Sequence, residues 1–131
     1  MYLKTSCIPR ESVFNQDRRD VVLELSDFLK SKINAEDFFE ENFITSGMKT
    51  LLEKIFSGLE GIIDQASTFL LTQVMGGGKT HNMIALGLLA RDPELRRKIL
   101  GKNSPGAKLG NVRIIGFTGR QSDASLEIYQ N

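Results

Sequence analysis

The chain has 131 residues, 40% of them hydrophobic and 25% charged. That composition suits one globular domain and excludes a disordered or collagen-like chain. The net charge of +1 excludes a polyanion binder built from the whole chain, and no apolar run approaches the ~18 residues needed to cross a bilayer. No secretory leader is visible, and the single cysteine, Cys7, supports neither a disulfide framework nor a multi-cysteine zinc site. A reducing, cytoplasmic setting is therefore the expectation, with no membrane partner.

In chain order, Pro9 disfavours helix at Ile8, so the first segment is expected to be extended or turned. The apolar spacing of Val21, Leu25, Phe28 and Leu29 predicts a helix over about Asp17–Lys30. A short helix over Ala35–Glu41 follows. Asn34 serves as its N-cap, and Glu36 and Asp37 stand in its first turn, where the helix dipole favours acids.

The clearest helix is Ser46–Leu59. Met48, Leu51, Leu52, Ile55, Phe56 and Leu59 recur with helical period, Thr45 or Ser46 caps the start, and Gly58 or Gly61 ends it. Its stripe reads as a packing face. Ser67–Val74 is short and apolar and predicts a buried strand. A helix apolar nearly all round runs from Lys79 to about Ala90. Asp92-Pro93-Glu94 starts another, which Gly101 stops. A loop spans Lys102–Gly110, and Val112–Thr118 predicts a second buried strand. Residues 91–131 carry 8 bases and 4 acids, among them Arg91, Arg96, Arg97, Lys98, Lys102 and Lys108. A solvated helix face or a nucleic-acid patch would account for these bases.

Between the first strand and the apolar helix lies Gln73-Val74-Met75-Gly76-Gly77-Gly78-Lys79-Thr80. A glycine-rich turn from strand to helix, ending in Lys-Thr, is the setting of a phosphate-binding loop. Gly76, Gly77 and Gly78 let backbone N–H groups point inward as an anion nest, and the helix start adds its positive dipole end. Lys79 would reach the β- and γ-phosphates, and the Thr80 hydroxyl would ligate Mg²⁺. The expected ligands are therefore ATP and magnesium. The usual pattern has glycine where this chain has Gln73, so either Gln73 is accommodated in the turn or the loop entry is shaped differently. His81, the only histidine, is a first-turn residue near the phosphates or a direct nucleotide contact. ATPases with a phosphate-binding loop usually carry an acid at the tip of a later strand. Val112–Thr118 ends in Thr118-Gly119-Arg120 instead, and Asp123 lies further on in poor context, so no catalytic residue is assigned.

Three segments resemble the N-terminal part of the large bacterial P-loop ATPases of phage-defence islands, including the ATP-binding component of the BREX and phage growth limitation systems. They are Cys7–Glu11, Phe38-Phe39 with Ile44–Lys49, and Gly76–His81. Ile115–Arg120 looks similar as well, so the likeness covers roughly residues 5–123. In that family the loop carries the same Gln73 and His81. The resemblance implies an α/β fold, with an incomplete, AAA+-like P-loop core in residues 67–131 after a mainly helical region in residues 1–66. It also implies later strands beyond this chain, and other phage-defence proteins as partners. Ala124–Asn131 does not look like the family and reads as a truncation or frameshift scar. A chain with missing strands is expected to self-associate. The rival expectation, from a different class, is a non-hydrolysing interaction module in which nucleotide binding is vestigial.

Overall fold

A computed structural model describes residues 8–9, 14, 22–61, 68–72, 74, 76–117 and 129–130. Five helices carry most of them: α1 (Leu25–Leu29), α2 (Ala35–Glu41), α3 (Ser46–Leu59), α4 (Lys79–Arg91) and α5 (Pro93–Leu100). Two residues of β1 (Ile115–Gly116) pair antiparallel with two of β2 (Tyr129–Gln130).

Side-chain caps place three of the helix starts. The Asn34 carboxamide oxygen accepts from the backbone N–H of Glu36 and Asp37, at 2.9 and 3.1 Å. Thr45, rather than Ser46, caps α3 by accepting from Met48 N–H. Asp92 accepts from Glu94 and Leu95 N–H, with Pro93 behind it in the first turn. Each such cap contributes about 1 kcal/mol. Glu60 closes α3, and Gly61 turns the chain away with φ +75°.

α1 is shorter than its spacing predicts. Glu24 is extended, with φ −105° and ψ 143°, so the helix begins only at Leu25. Val22 and Glu24 are exposed, while Leu23 and Leu25 are half-buried. This two-residue alternation delivers Leu23 to the core from an extended approach, which a helix through Val22 would not do. Asp17–Val21 lies outside the described residues.

α4 is the central element and is covered on two sides. Ile84, Ala85 and Leu88 pack with Phe28, Leu29 and Phe38 of α1 and α2. Leu89 and Ala90 pack with Leu52 and Phe56 of α3 and with Leu95 and Leu100 of α5. Gly87 is required at its position, because a Cβ there would stand 2.2 Å from Phe28 Cζ.

The loop after α5 is organised by Arg96, which is fully buried. Its guanidinium donates to five backbone carbonyls: Gly106 (2.9 Å), Leu89 (2.9 Å), Ala90 (3.5 Å), Gly110 (3.1 Å) and Leu109. It also lies over the Phe56 ring, 5.0 Å from the centroid. Arg91 lies 4.2 Å over the Phe28 ring and donates to Phe28 O, and Arg97 donates to Ala107 O and pairs with Glu94. Arg91, Arg96 and Arg97, three of the eight bases in residues 91–131, are thus engaged within the fold. For the fully buried Arg96, neither a solvated face nor a nucleic-acid patch is the explanation.

The two expected buried strands need correction. Residues 68–72 and 74 have no ladder partner among the described residues, and Leu70 and Val74 are 85% and 81% exposed. Only Phe69 and Leu71 turn inward. The second segment alternates likewise, with Val112, Ile114 and Gly116 inward and Ile115 and Phe117 outward. A run that is apolar at every position looks two-sided in sequence, but burial depends on neighbours on each face, and among the described residues only one face has them. Among the described residues no helix is long and apolar enough to cross a membrane.

Candidate phosphate-binding loop

The turn into α4 uses glycine where backbone geometry demands it. Gly76 and Gly78 both have φ +81°, a left-handed conformation that costs an L-residue roughly 1–2 kcal/mol. Gly78 is the N-cap, and no side chain caps α4, in contrast to α2, α3 and α5. The first-turn amides of α4 have no intrahelical carbonyl by helix geometry. They thus present donors, with the positive end of the helix dipole, at the mouth of the loop.

The Val74 carbonyl closes the loop. It accepts from Gly77 N–H at 3.0 Å and from Lys79 Nζ at 2.9 Å. At the back, Gly78 O accepts from both the backbone N–H and the side-chain Nδ2 of Asn82, at 2.9 and 3.0 Å. Asn82 Oδ1 is buried without a hydrogen-bond partner. Asn82 has no place in the usual motif. The available sequence signal was an amide four residues after the capping glycine, positioned to bond back to it.

Gly76, Gly77, Gly78, Lys79 and Thr80 are therefore brought together in one turn. Gln73 and Met75 lie outside the described residues. Thr80 and His81 are half-buried. His81 turns to Phe38 of α2, with ring centroids 6.2 Å apart. The residues fit a polyphosphate by donor chemistry. For Mg²⁺ they offer the Thr80 hydroxyl, and no cluster of three or more His, Cys, Asp or Glu that could hold a metal exists among the described residues. Thr118–Arg120 and Asp123 lie outside the described residues.

Two cavities flank the start of α4. One, of about 560 Å³, lies between α3 and α4; Leu51, Ile55, Phe69, Leu71, Lys79 and Met83 line it with others. The second, of about 590 Å³, lies against α1 and α2; Leu23, Ile33, Asp37, Phe38, Glu41 and His81 are among its walls.

The chain belongs to the DUF499 N-terminal domain family, whose model matches residues 11–106. The match takes in all five helices and the glycine loop. No curated protein and no solved structure matches the chain.

Proposed function

We propose that this member of the DUF499 N-terminal domain family binds ATP with magnesium at Gly76–Thr80. On this reading it is the N-terminal portion of a cytoplasmic P-loop ATPase akin to those of phage-defence islands. The observation that carries the reading is the start of α4. Two left-handed glycines lead into an uncapped helix, and its first residue, Lys79, folds its ammonium across the loop. When nucleotide binds, Lys79 exchanges the Val74 carbonyl for phosphate oxygens, a stronger charge-assisted partner. The first-turn amides of α4 would take the remaining oxygens, and the Thr80 hydroxyl would hold Mg²⁺. The α/β P-loop core belongs to the same proposal: residues 67–131 supply its loop-bearing segment, and residues 1–66 the helical region before it.

Titration of a fluorescent ATP analogue in the presence of Mg²⁺ tests the proposal. Wild type is expected to bind, and Lys79→Ala is expected to lose binding with its fold intact. Equal affinity in the two proteins would remove the loop assignment.

A second reading, a non-hydrolysing interaction module, is favoured by one observation. Leu70, Val74, Ile115 and Phe117 present large exposed apolar surfaces on segments with little or no ladder pairing among the described residues. Binding to another phage-defence protein through this surface, unaffected by nucleotide and by Lys79→Ala, would support it.

A further inference from the structure

The geometry points to the cavity beside His81 as the seat of the nucleobase, so that the loop recognises a nucleoside triphosphate rather than a bare polyphosphate. This rests on the proposal that Gly76–Thr80 binds phosphate. Residues two apart on a helix stand roughly 200° apart, so Lys79 and His81 leave α4 on nearly opposite flanks. Lys79 lines the cavity toward α3, on the stripe it shares with Asn82, Met83 and Leu86. His81 lines the cavity toward α1 and α2.

Lys79 takes the terminal phosphates, so the γ end of the chain lies on its flank. The α-phosphate, ribose and base then run away from Lys79, across the helix start and toward His81. The second cavity suits that end chemically. Leu23, Ile33 and Phe38 give it apolar walls, and the His81 ring, tilted 36° to Phe38, adds an aromatic one. Its charged residues are Asp27, Asp37 and Glu41 against Lys32, which stands 3.4 Å from Asp27. A wall with that balance repels phosphate and tolerates a neutral base, whose amino groups can donate hydrogen bonds to the carboxylates. The volume of about 590 Å³ holds a base with its ribose.

His81 is the chain's only histidine, so its imidazole C–H signals report on this cavity without substitution. The experiment compares ATP with inorganic tripolyphosphate, each with Mg²⁺, by titration and by NMR of the His81 ring. ATP is expected to bind about tenfold or more tighter, the scale of one aromatic–base stack. It is also expected to displace the His81 signals beyond anything tripolyphosphate causes. Leu23→Trp, which fills the cavity, is expected to reduce ATP to the affinity of tripolyphosphate while leaving tripolyphosphate unchanged, which also reports an intact fold. Leu59→Trp, on the opposite cavity, is expected to keep the preference. Equal affinities and equal His81 spectra for the two ligands would overturn the inference and leave the loop assignment standing. Loss of the preference in Leu59→Trp but not in Leu23→Trp would place the base on the other flank and overturn it as well. If neither ligand binds, the loop assignment itself fails, and the inference fails with it.

Discussion

Lys79 Nζ donates to the Val74 carbonyl oxygen at 2.9 Å, sharing that acceptor with the Gly77 amide. The Val74 carbonyl oxygen is thus one acceptor that draws the lysine across the loop, and on the proposed reading phosphate oxygens would take its place. A guanidinium at this position would present a rigid planar fork instead of a compact point charge on a flexible stem. Lys79→Arg is therefore expected to weaken ATP binding about tenfold or more although the charge is kept. Its melting transition should stay within about 0.5 kcal/mol of wild type. Paired titration and thermal unfolding check this, and unchanged affinity would mean that the lysine's geometry is not used.

Two helical glycines should respond to alanine with opposite sign. Gly47 in α3 has nothing within 4 Å of an added Cβ, so Gly47→Ala should stabilise by up to about 1 kcal/mol through helix propensity and reduced unfolded-state freedom. Gly87 in α4 would drive its Cβ into Phe28, one of the most deeply buried side chains. Overpacking of that kind costs roughly 1–3 kcal/mol and outweighs the propensity gain. Urea denaturation of the two variants gives both signs, and a stabilised Gly87→Ala would mean that α1 does not pack on α4 as described.

What could be read ahead of the structure follows the range of the interactions involved. Asn34, Thr45 and Asp92 act on amides two or three residues away, so the starts of α2, α3 and α5 were visible in sequence. The loop from Gly76 to Thr80 was visible for the same reason, being one turn with its glycines and lysine adjacent. Strands were overread because a ladder needs a partner, and apolar residues such as Leu70 and Ile115 do not say whether one exists. The His81 cavity is not legible in sequence, since its walls come from α1, α2, α4 and the segments beside the first two, from Leu23 to His81. Arg96 reads in sequence as one more surface base, because its partners are carbonyls, which have no sequence signature.

Arg96 itself yields the next expectation. Its guanidinium is buried, and burial lowers its pKa from the ordinary value, with neighbouring Arg97 acting in the same direction and Glu60 and Asp92 opposing. It still stays charged at working pH. Lys has three donors in place of five and cannot span carbonyls from Leu89 to Gly110. Arg96→Lys should cost about 2 kcal/mol or more, and Arg96→Met about 3–5 kcal/mol, because buried carbonyls lose their donors. Chemical denaturation measures both. A Met variant as stable as wild type would show that water serves these carbonyls equally well.

On the proposal that Gly76–Thr80 binds nucleotide, catalysis is still expected to be absent from the isolated chain. Water attack on the γ-phosphate requires a residue to orient the nucleophile, and none is assigned here. Phosphate release with Mg²⁺ and ATP should therefore stay at background. Turnover in wild type that disappears in Lys79→Ala would reveal a carboxylate not yet recognised, with Asp123 the first to substitute.

The chain is also expected to self-associate. Leu70, Val74, Ile115 and Phe117 are between 62% and 85% exposed, and they alternate along two segments with half-buried Phe69, Leu71, Val112 and Ile114. Outward apolar side chains on backbone with open hydrogen-bonding edges form a template for pairing with another chain. β1 offers only a two-residue pairing, Ile115 with Gln130 and Gly116 with Tyr129, and residues 68–72 have no ladder partner among the described residues. Charge on the outward face should oppose this association without disturbing Phe69 or Leu71, which point inward. Light scattering of wild type is therefore expected to show mass above the monomer, rising with concentration. The double variant Leu70→Lys, Phe117→Lys should shift the distribution toward monomer and retain its helical circular dichroism. A wild-type chain that is monomeric at all concentrations, with cooperative melting, would mean that these surfaces are tolerated in water.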